Sequence, residues 1–358
     1  MTRSSRKIHV LVVDDSALVR TLLRRELSRD PEIEVIAVAS DAYEARDIIL
    51  KQKPDVITLD VEMPRMSGLE FLERLMRNYP VPVIMFSTLT ASGTTAALEA
   101  LEKGAVDVMH KPDHTSAALR EVMEQLIDKI KAVHGAIRRP TPKLSPPARI
   151  SQVRSRGLDP NRHVVAIGAS TGGTEALRSI LYHLPADMPP VLIVQHMPEG
   201  FTAAFAERLN KSSGMRVMEA IDNMPLKPGL AILARGDYHL SVEKRPAGWV
   251  ARSCAGPLVC RHRPSVEVLF ESMARVVGTA GVGVILTGMG ADGAEGILAM
   301  HEAGATTIAQ DKRSSVVFGM PKEAIQRGGV DRVVSLSNVP QAIMMALTRR
   351  KVGLSSVT

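Results

Sequence analysis

Short apolar runs recur along this chain, each followed by a longer stretch whose apolar residues repeat at helical spacing. In the first third these runs are IHVLVV (8–13), EVIAVA (34–39), VITLD (56–60), VPVIMF (81–86) and AVDVMH (105–110). Val- and Ile-rich runs of this length predict buried strands, and strands alternating with amphipathic helices predict a parallel sheet covered on both faces. The alternation stops near residue 134 and resumes with HVVAIG (163–168), VLIVQ (191–195), LAILA (230–234), GVILTG (283–288) and TTIAQ (306–310). The pattern predicts an α/β chain of two doubly wound parallel-sheet domains, 1–134 and 162–350, joined by a linker, 135–161, and followed by a short tail, 351–358.

Composition sharpens the division. The 358 residues carry a formal net charge of +7. Between Arg138 and Arg162 stand seven basic residues against Asp159 alone, 7 − 1 = +6, so nearly all the excess falls in one segment. That segment also holds Pro140, Pro142, Pro146, Pro147 and Pro160 and lacks periodic apolar residues, which reads as a solvated, flexible linker. A basic recognition helix, which a DNA-binding protein of this kind would need, is not apparent, so no nucleic-acid partner is expected. No apolar run has the length of a bilayer span and the opening MTRSSRK is no signal peptide, which predicts a cytoplasmic protein without membrane insertion. Cys254 and Cys260 fit no zinc or redox spacing and read as two reduced thiols.

In doubly wound sheets, chemistry collects at the carboxyl ends of strands. Asp14 and Asp15 follow the first run, Asp60 ends the third, Ser87 follows the fourth, and Lys111 follows the fifth. Carboxylates crowded together repel one another unless a cation lies among them, and hard oxygen ligands suit Mg²⁺. One carboxylate could then act as nucleophile toward a phosphoryl group, with the ammonium and hydroxyl orienting the added oxygens. In order and spacing VVDDS, LDVEMPRMSG, MFSTLT and HKP resemble the flavodoxin-like receiver domain of bacterial response regulators. The resemblance implies Asp60 as phospho-acceptor, Asp14, Asp15 and Asp60 around Mg²⁺, Ser87 as switch hydroxyl and Lys111 as phosphate partner.

In the second half, VVAIGASTGGTEAL (164–177) leads from a strand through a glycine-rich turn into a helix. It matches both the G-x-S-x-G spelling of a nucleophile elbow and, less well, a dinucleotide loop whose middle glycine is replaced by Ser170. His196 follows the next strand, and Asp292 stands near the end of VILTGMGADG (284–293). A hydroxyl needs a base, imidazole is poised to serve, and a carboxylate can fix the imidazole tautomer. The chain order Ser, His, Asp differs from that of the α/β-hydrolases. Position alone does not separate His196 from His183, His239, His262 or His301. Thr174 reads as a candidate helix cap.

The blocks IGASTGGTEAL, VQHMPEGFT, RHRPSVEVLFESMA, ILTGMGADGAEG and VFGMPKEAI resemble the Rossmann-like catalytic domain of chemotaxis protein-glutamate methylesterases, whose members also carry an N-terminal receiver. The resemblance implies Ser170 as nucleophile, His196 as base and Asp292 as its orienter, with Thr171 and Met289 beside the oxyanion. It implies no cofactor in this half. The substrates would be glutamyl methyl esters of chemoreceptors, some members also deamidating receptor glutamines, and a histidine kinase would be the phosphodonor. Receptor arrays would then be the site of recruitment. A switch and a hydrolase on one chain imply that phosphorylation of Asp60 controls chemistry at Ser170. A catalytically idle, receptor-binding adaptor is the alternative in a different class.

Overall fold

The computed structural model describes residues 6–87, 91–111, 116–134 and 161–348, except for the side chains of 87, 91–93, 116–118 and 121. The tail 351–358, and the expected linker apart from residue 161, lie outside the described residues. The chain divides into two compact units.

The first unit alternates β1 (Ile8–Val13), α1 (Ala17–Leu27), β2 (Ile33–Ala39), α2 (Ala42–Gln52), β3 (Val56–Asp60), α3 (Gly68–Asn78), β4 (Val83–Ser87), α4 (Ala91–Lys103), β5 (Asp107–His110) and α5 (Ser116–Val133). Its strands pair in parallel in the order β2-β1-β3-β4-β5. This is the flavodoxin-like order, with its switch point between β1 and β3. All five residues of β3 are buried, as expected of a strand covered on both faces. Ser16, Asp41 and Ser67 cap α1, α2 and α3 through side-chain oxygens, so three helices start where the loops from the sheet edge end.

From Val164 the chain continues through β6 (Val164–Ala169), α6 (Gly173–His183), β7 (Val191–Gln195), α7 (Thr202–Ser212), β8 (Arg216–Glu219), β9 (Met224–Pro225), β10 (Leu230–Leu233), β11 (His239–Arg245) and β12 (Gly248–Cys254). There follow α8 (Val266–Val276), β13 (Gly281–Ile285), α9 (Ala294–Glu302), β14 (Thr306–Gln310), α10 (Met320–Gln326), β15 (Arg332–Val334) and α11 (Val339–Thr348). Seven strands form a parallel sheet in the order β15-β14-β13-β6-β7-β10-β8. From β6 the chain moves to β7 on one side, and only after β10 does it return to β13 on the other. The topological switch point therefore lies between β6 and β13, where such sheets open a crevice.

Two features depart from the sequence reading. The strand expected at 283–288 begins at Gly281 and ends at Ile285, leaving Leu286 to Gly288 to turn toward the crevice. An antiparallel three-stranded sheet, β11-β12-β9, accompanies the parallel one. Its strands are short or amphipathic: along β11, Leu240 and Val242 are buried between more exposed neighbours. The hairpin joins the core through Leu240, Val242 and Ala251, together with Leu269, Phe270 and Met273 of α8. It is also tied to α8 by Val242 N–H, which donates to Ser272 Oγ at 3.0 Å.

Candidate active site

In the first unit the predicted polar residues converge at the carboxyl edge of the sheet. Lys111 Nζ lies 2.7 Å from Asp14 Oδ2 and 2.8 Å from Asp60 Oδ2. Asp14 and Asp60 are buried whereas Asp15 is exposed, and one oxygen from each of the three lies within 4.8 Å of the others. Burial raises the Asp60 pKa to about 6, against the pull of Lys111, with neighbouring Asp14 adding to the rise. Asp14 is likewise raised, chiefly by burial. Such a set of crowded hard oxygens fits Mg²⁺. Ser87 ends β4, and its side chain lies outside the described residues. The opening beside this edge, about 580 Å³, is lined by Asp15, Glu62, Met63, Pro64 and Leu69 among others.

In the second unit the register of three adjacent strands sets the site. Ala169 pairs with Gln195 across β6 and β7, and Ile285 with Gly168 across β13 and β6. The ladders continue one residue further, with His196 N–H donating to Ala169 O at 3.1 Å and Ser170 N–H to Thr287 O at 3.1 Å. Ser170 and His196 thus leave neighbouring strands at the same level. The Ser170 residue is 6% exposed, and so is the His196 side chain.

The turn after Ser170 owes its shape to glycine. Gly172 adopts φ +77°, and its Cβ would meet Val316 Cγ2 at 2.6 Å. It is also the N-cap of α6 without a capping side chain, so Thr174 lies inside the helix and is not the expected cap. On the opposite wall, a Cβ on Gly288 would stand 2.8 Å from Ser170 Cβ and 2.2 Å from Met320 Sδ.

Asp292, 2% exposed, holds the imidazole: His196 Nε2 lies 2.7 Å from Asp292 Oδ2. The other ring nitrogen, Nδ1, is buried and has no hydrogen-bond partner among the described residues. Asp292 also sits at the N-terminus of α8. Its Oδ2 accepts from Val266 N–H at 2.7 Å, and its Oδ1 accepts from Ser265 Oγ at 2.7 Å and Glu267 N–H at 3.0 Å. Burial by itself would raise its pKa, but His196, Ser265 and the Val266 amide outweigh that and hold it at about 2. The positive end of a helix favours the same ionised state.

Several neighbours were not singled out by sequence. Glu267, 6% exposed, accepts from Gly293 N–H at 3.0 Å, while its Oε1 is buried without a partner. Burial, then the charges of Asp292 and Glu271, push its pKa up to about 7. His262 stacks on His196 with ring centroids 3.7 Å apart and planes inclined by 19°. His239 is tied to Pro257 O and to the Ser265 amide, and His183 to Ser179 O, so neither serves Ser170. His301 pairs with Asp331. Cys254 and Cys260 are both free thiols. Cys260 lies within 4.8 Å of Glu267 and Asp292, but four donors already engage the Asp292 oxygens, which makes this cluster a hydrogen-bonded hub. Burial and the adjacent carboxylates raise the Cys260 pKa to about 11, keeping it a thiol.

Donors for a developing oxyanion are limited by the backbone itself. Ser170 N–H is committed to Thr287 O, and Gly173 N–H to Ser170 O at 2.7 Å. Met289 N–H donates no hydrogen bond among the described residues, and Met289 follows the Gly288 wall directly. Thr171 is buried, and its carbonyl accepts from Thr287 Oγ1 at 2.9 Å.

Comparison with known proteins agrees with this division. Residues 165–343 match the family described as CheB methylesterase, and residues 10–124 match the response regulator receiver domain. A Syntrophus aciditrophicus protein named protein-glutamate methylesterase/protein-glutamine glutaminase 2 is 49% identical over 94% of this chain and 98% of its own length. A Chromohalobacter salexigens protein named protein-glutamate methylesterase/protein-glutamine glutaminase is 50% identical over 95% of this chain and 96% of its own. The crystal structure of the Thermotoga maritima CheB methylesterase catalytic domain, 38% identical, superposes with a TM-score of 0.50 over 51% of this chain and 97% of that one.

Proposed function

The chain belongs to the CheB methylesterase family, with a response regulator receiver domain ahead of the esterase domain, and from that premise we propose that it hydrolyses glutamate methyl esters on chemoreceptors under control of Asp60 phosphorylation. The observation that carries this reading is the 2.7 Å contact of Asp292 with His196 Nε2, which leaves the buried Nδ1 unpartnered on a residue that leaves its strand level with Ser170 on the adjacent one. Ser170 Oγ attacks the ester carbonyl carbon while His196 Nδ1 takes its proton. Asp292 keeps Nε2 protonated and stabilises the imidazolium that forms. The tetrahedral oxyanion is received by the backbone N–H of Met289, across from Thr171 in the Ser170 turn, where one well-placed donor is worth about 3 kcal/mol. Collapse breaks the bond to the methoxy group, which leaves as methanol with the proton from His196. Water, activated by the same imidazole, then releases the glutamate carboxylate. On glutamine the same acyl chemistry expels ammonia.

In the receiver unit, Asp60 is the phospho-acceptor and Lys111 the partner of the added phosphate, with Ser87 as the switch hydroxyl. Asp14, Asp15 and Asp60 would hold Mg²⁺, which supplies charge neutralisation for phosphoryl transfer. The partners are a histidine kinase as phosphodonor and the chemoreceptors as substrate, so the place of action is the receptor array. Among the described residues no helix is long and apolar enough to cross a membrane.

The test is methanol release from methylated receptor membranes, with and without a small phosphodonor and Mg²⁺. Release that disappears in Ser170→Ala and loses its phosphodonor response in Asp60→Asn is the expected result. No release from any form, despite phosphorylated Asp60, would refute the esterase reading in favour of an adaptor.

A further inference from the structure

Gln195 closes a strand that is otherwise wholly apolar, VLIVQ, and is only 2% exposed. A buried carboxamide is costly unless its donors are engaged. Gln195 Nε2 donates to Ser170 O at 2.9 Å and to His196 O at 3.1 Å. Both partners are carbonyl oxygens, so only the NH₂ end can face them, and chemistry fixes the orientation of the amide. The oxygen end, Oε1, is buried without a partner and points into the first turn of α6: a Cβ on Gly173 would lie 2.1 Å from it. That turn has no capping side chain, and the Gln195 oxygen lies at the positive end of the helix.

The structure assigns Gln195 as a positioning residue that yokes the nucleophile to its base, one amide hydrogen on the backbone of each. This rests on the reading of Ser170 and His196 as that pair. The ladder between β6 and β7 ends with His196 N–H on Ala169 O, and beyond that bond the two strands run on into separate loops. Gln195 is the side chain that bridges Ser170 and His196 past the end of the ladder. A drift of about 1 Å between them would cost tenfold to a hundredfold in rate. Gln195 is buried and offers a receptor no surface, so the loss falls on kcat and not on KM.

The experiment uses the full-length phosphorylated protein and measures methanol release for Gln195→Met, Gln195→Glu and Ser170→Ala beside wild type. Met keeps the volume and removes both donors, and is expected to lower kcat by about tenfold or more with KM within about twofold. Glu can donate one O–H when protonated and none when ionised, so its kcat relative to wild type should rise as pH falls from 8 to 6. Side-chain packing alone would give a ratio independent of pH. A kcat for Gln195→Met within about twofold of wild type, or a flat Gln195→Glu ratio, would overturn the assignment. If Gln195→Met does not fold, the Gln195→Glu ratio decides by itself. Persisting release from Ser170→Ala would instead refute the underlying reading of the site, a result separate from either.

Discussion

Replacing Glu267 by Gln tests the electrostatics around Asp292 without touching the reacting atoms. Burial and the nearby carboxylates raise the Glu267 pKa from an ordinary 4.5 to about 7. Between those two values the folded chain holds a proton that the unfolded chain has released, so folding is favoured by low pH. The contribution is fully present below pH 4.5 and is lost as pH rises through about 7. At about 1.4 kcal/mol per pH decade, the span corresponds to about 3 kcal/mol. Urea unfolding followed by the fluorescence of Trp249, the single tryptophan and a residue of β12, reads the second unit selectively. Glu267→Gln should match wild type within about 1 kcal/mol at pH 5 and exceed it by about 3 kcal/mol at pH 8. Other titrating groups change both proteins alike and cancel in the comparison. An equal gap between variant and wild type at the two pH values would refute the argument, because it would mean that Glu267 ionises alike in folded and unfolded chains.

Two further outcomes test the site. Asp292→Asn keeps the shape but cannot both accept from the α8 amides and hold His196 in the required tautomer, so kcat should fall about 10³- to 10⁴-fold in the methanol assay. Gly288→Ala drives a methyl group toward Ser170 Cβ and the wholly buried Met320; the expected loss is about 1–3 kcal/mol by urea unfolding, with kcat reduced at least about tenfold.

Much of this architecture was legible because the two parallel sheets announce themselves as contiguous Val/Ile runs, and because Asp14, Lys111, Ser170 and His196 follow such runs, Asp60 ends one, and Asp292 lies in the loop after another. The hairpin β11–β12 was less legible. Its apolar residues alternate with Glu243, Lys244 and Arg252, and their burial depends on α8, which arrives later in the chain. Ser265 and Glu267 escaped notice for a related reason: each works through a contact with Asp292 or Gly293, some 26 residues away. The available signal was a serine just ahead of an amphipathic helix, which indicates a cap but says nothing of the carboxylate it also serves. Gln195 left a fainter trace, a lone amide ending an apolar strand. His262 could not be told from the other histidines until the turn Val259–His262 brought its ring onto that of His196.

Asp292 is at once the anchor of the imidazole and the lid on the first turn of α8. The amides of Val266 and Glu267 both have this carboxylate as an acceptor, Glu267 sharing its hydrogen with Ser265 Oγ, so neither exchanges with solvent until Asp292 lets go. Their exchange lifetimes are therefore a clock on the catalytic arrangement itself, readable in the resting protein with no receptor, phosphodonor or turnover.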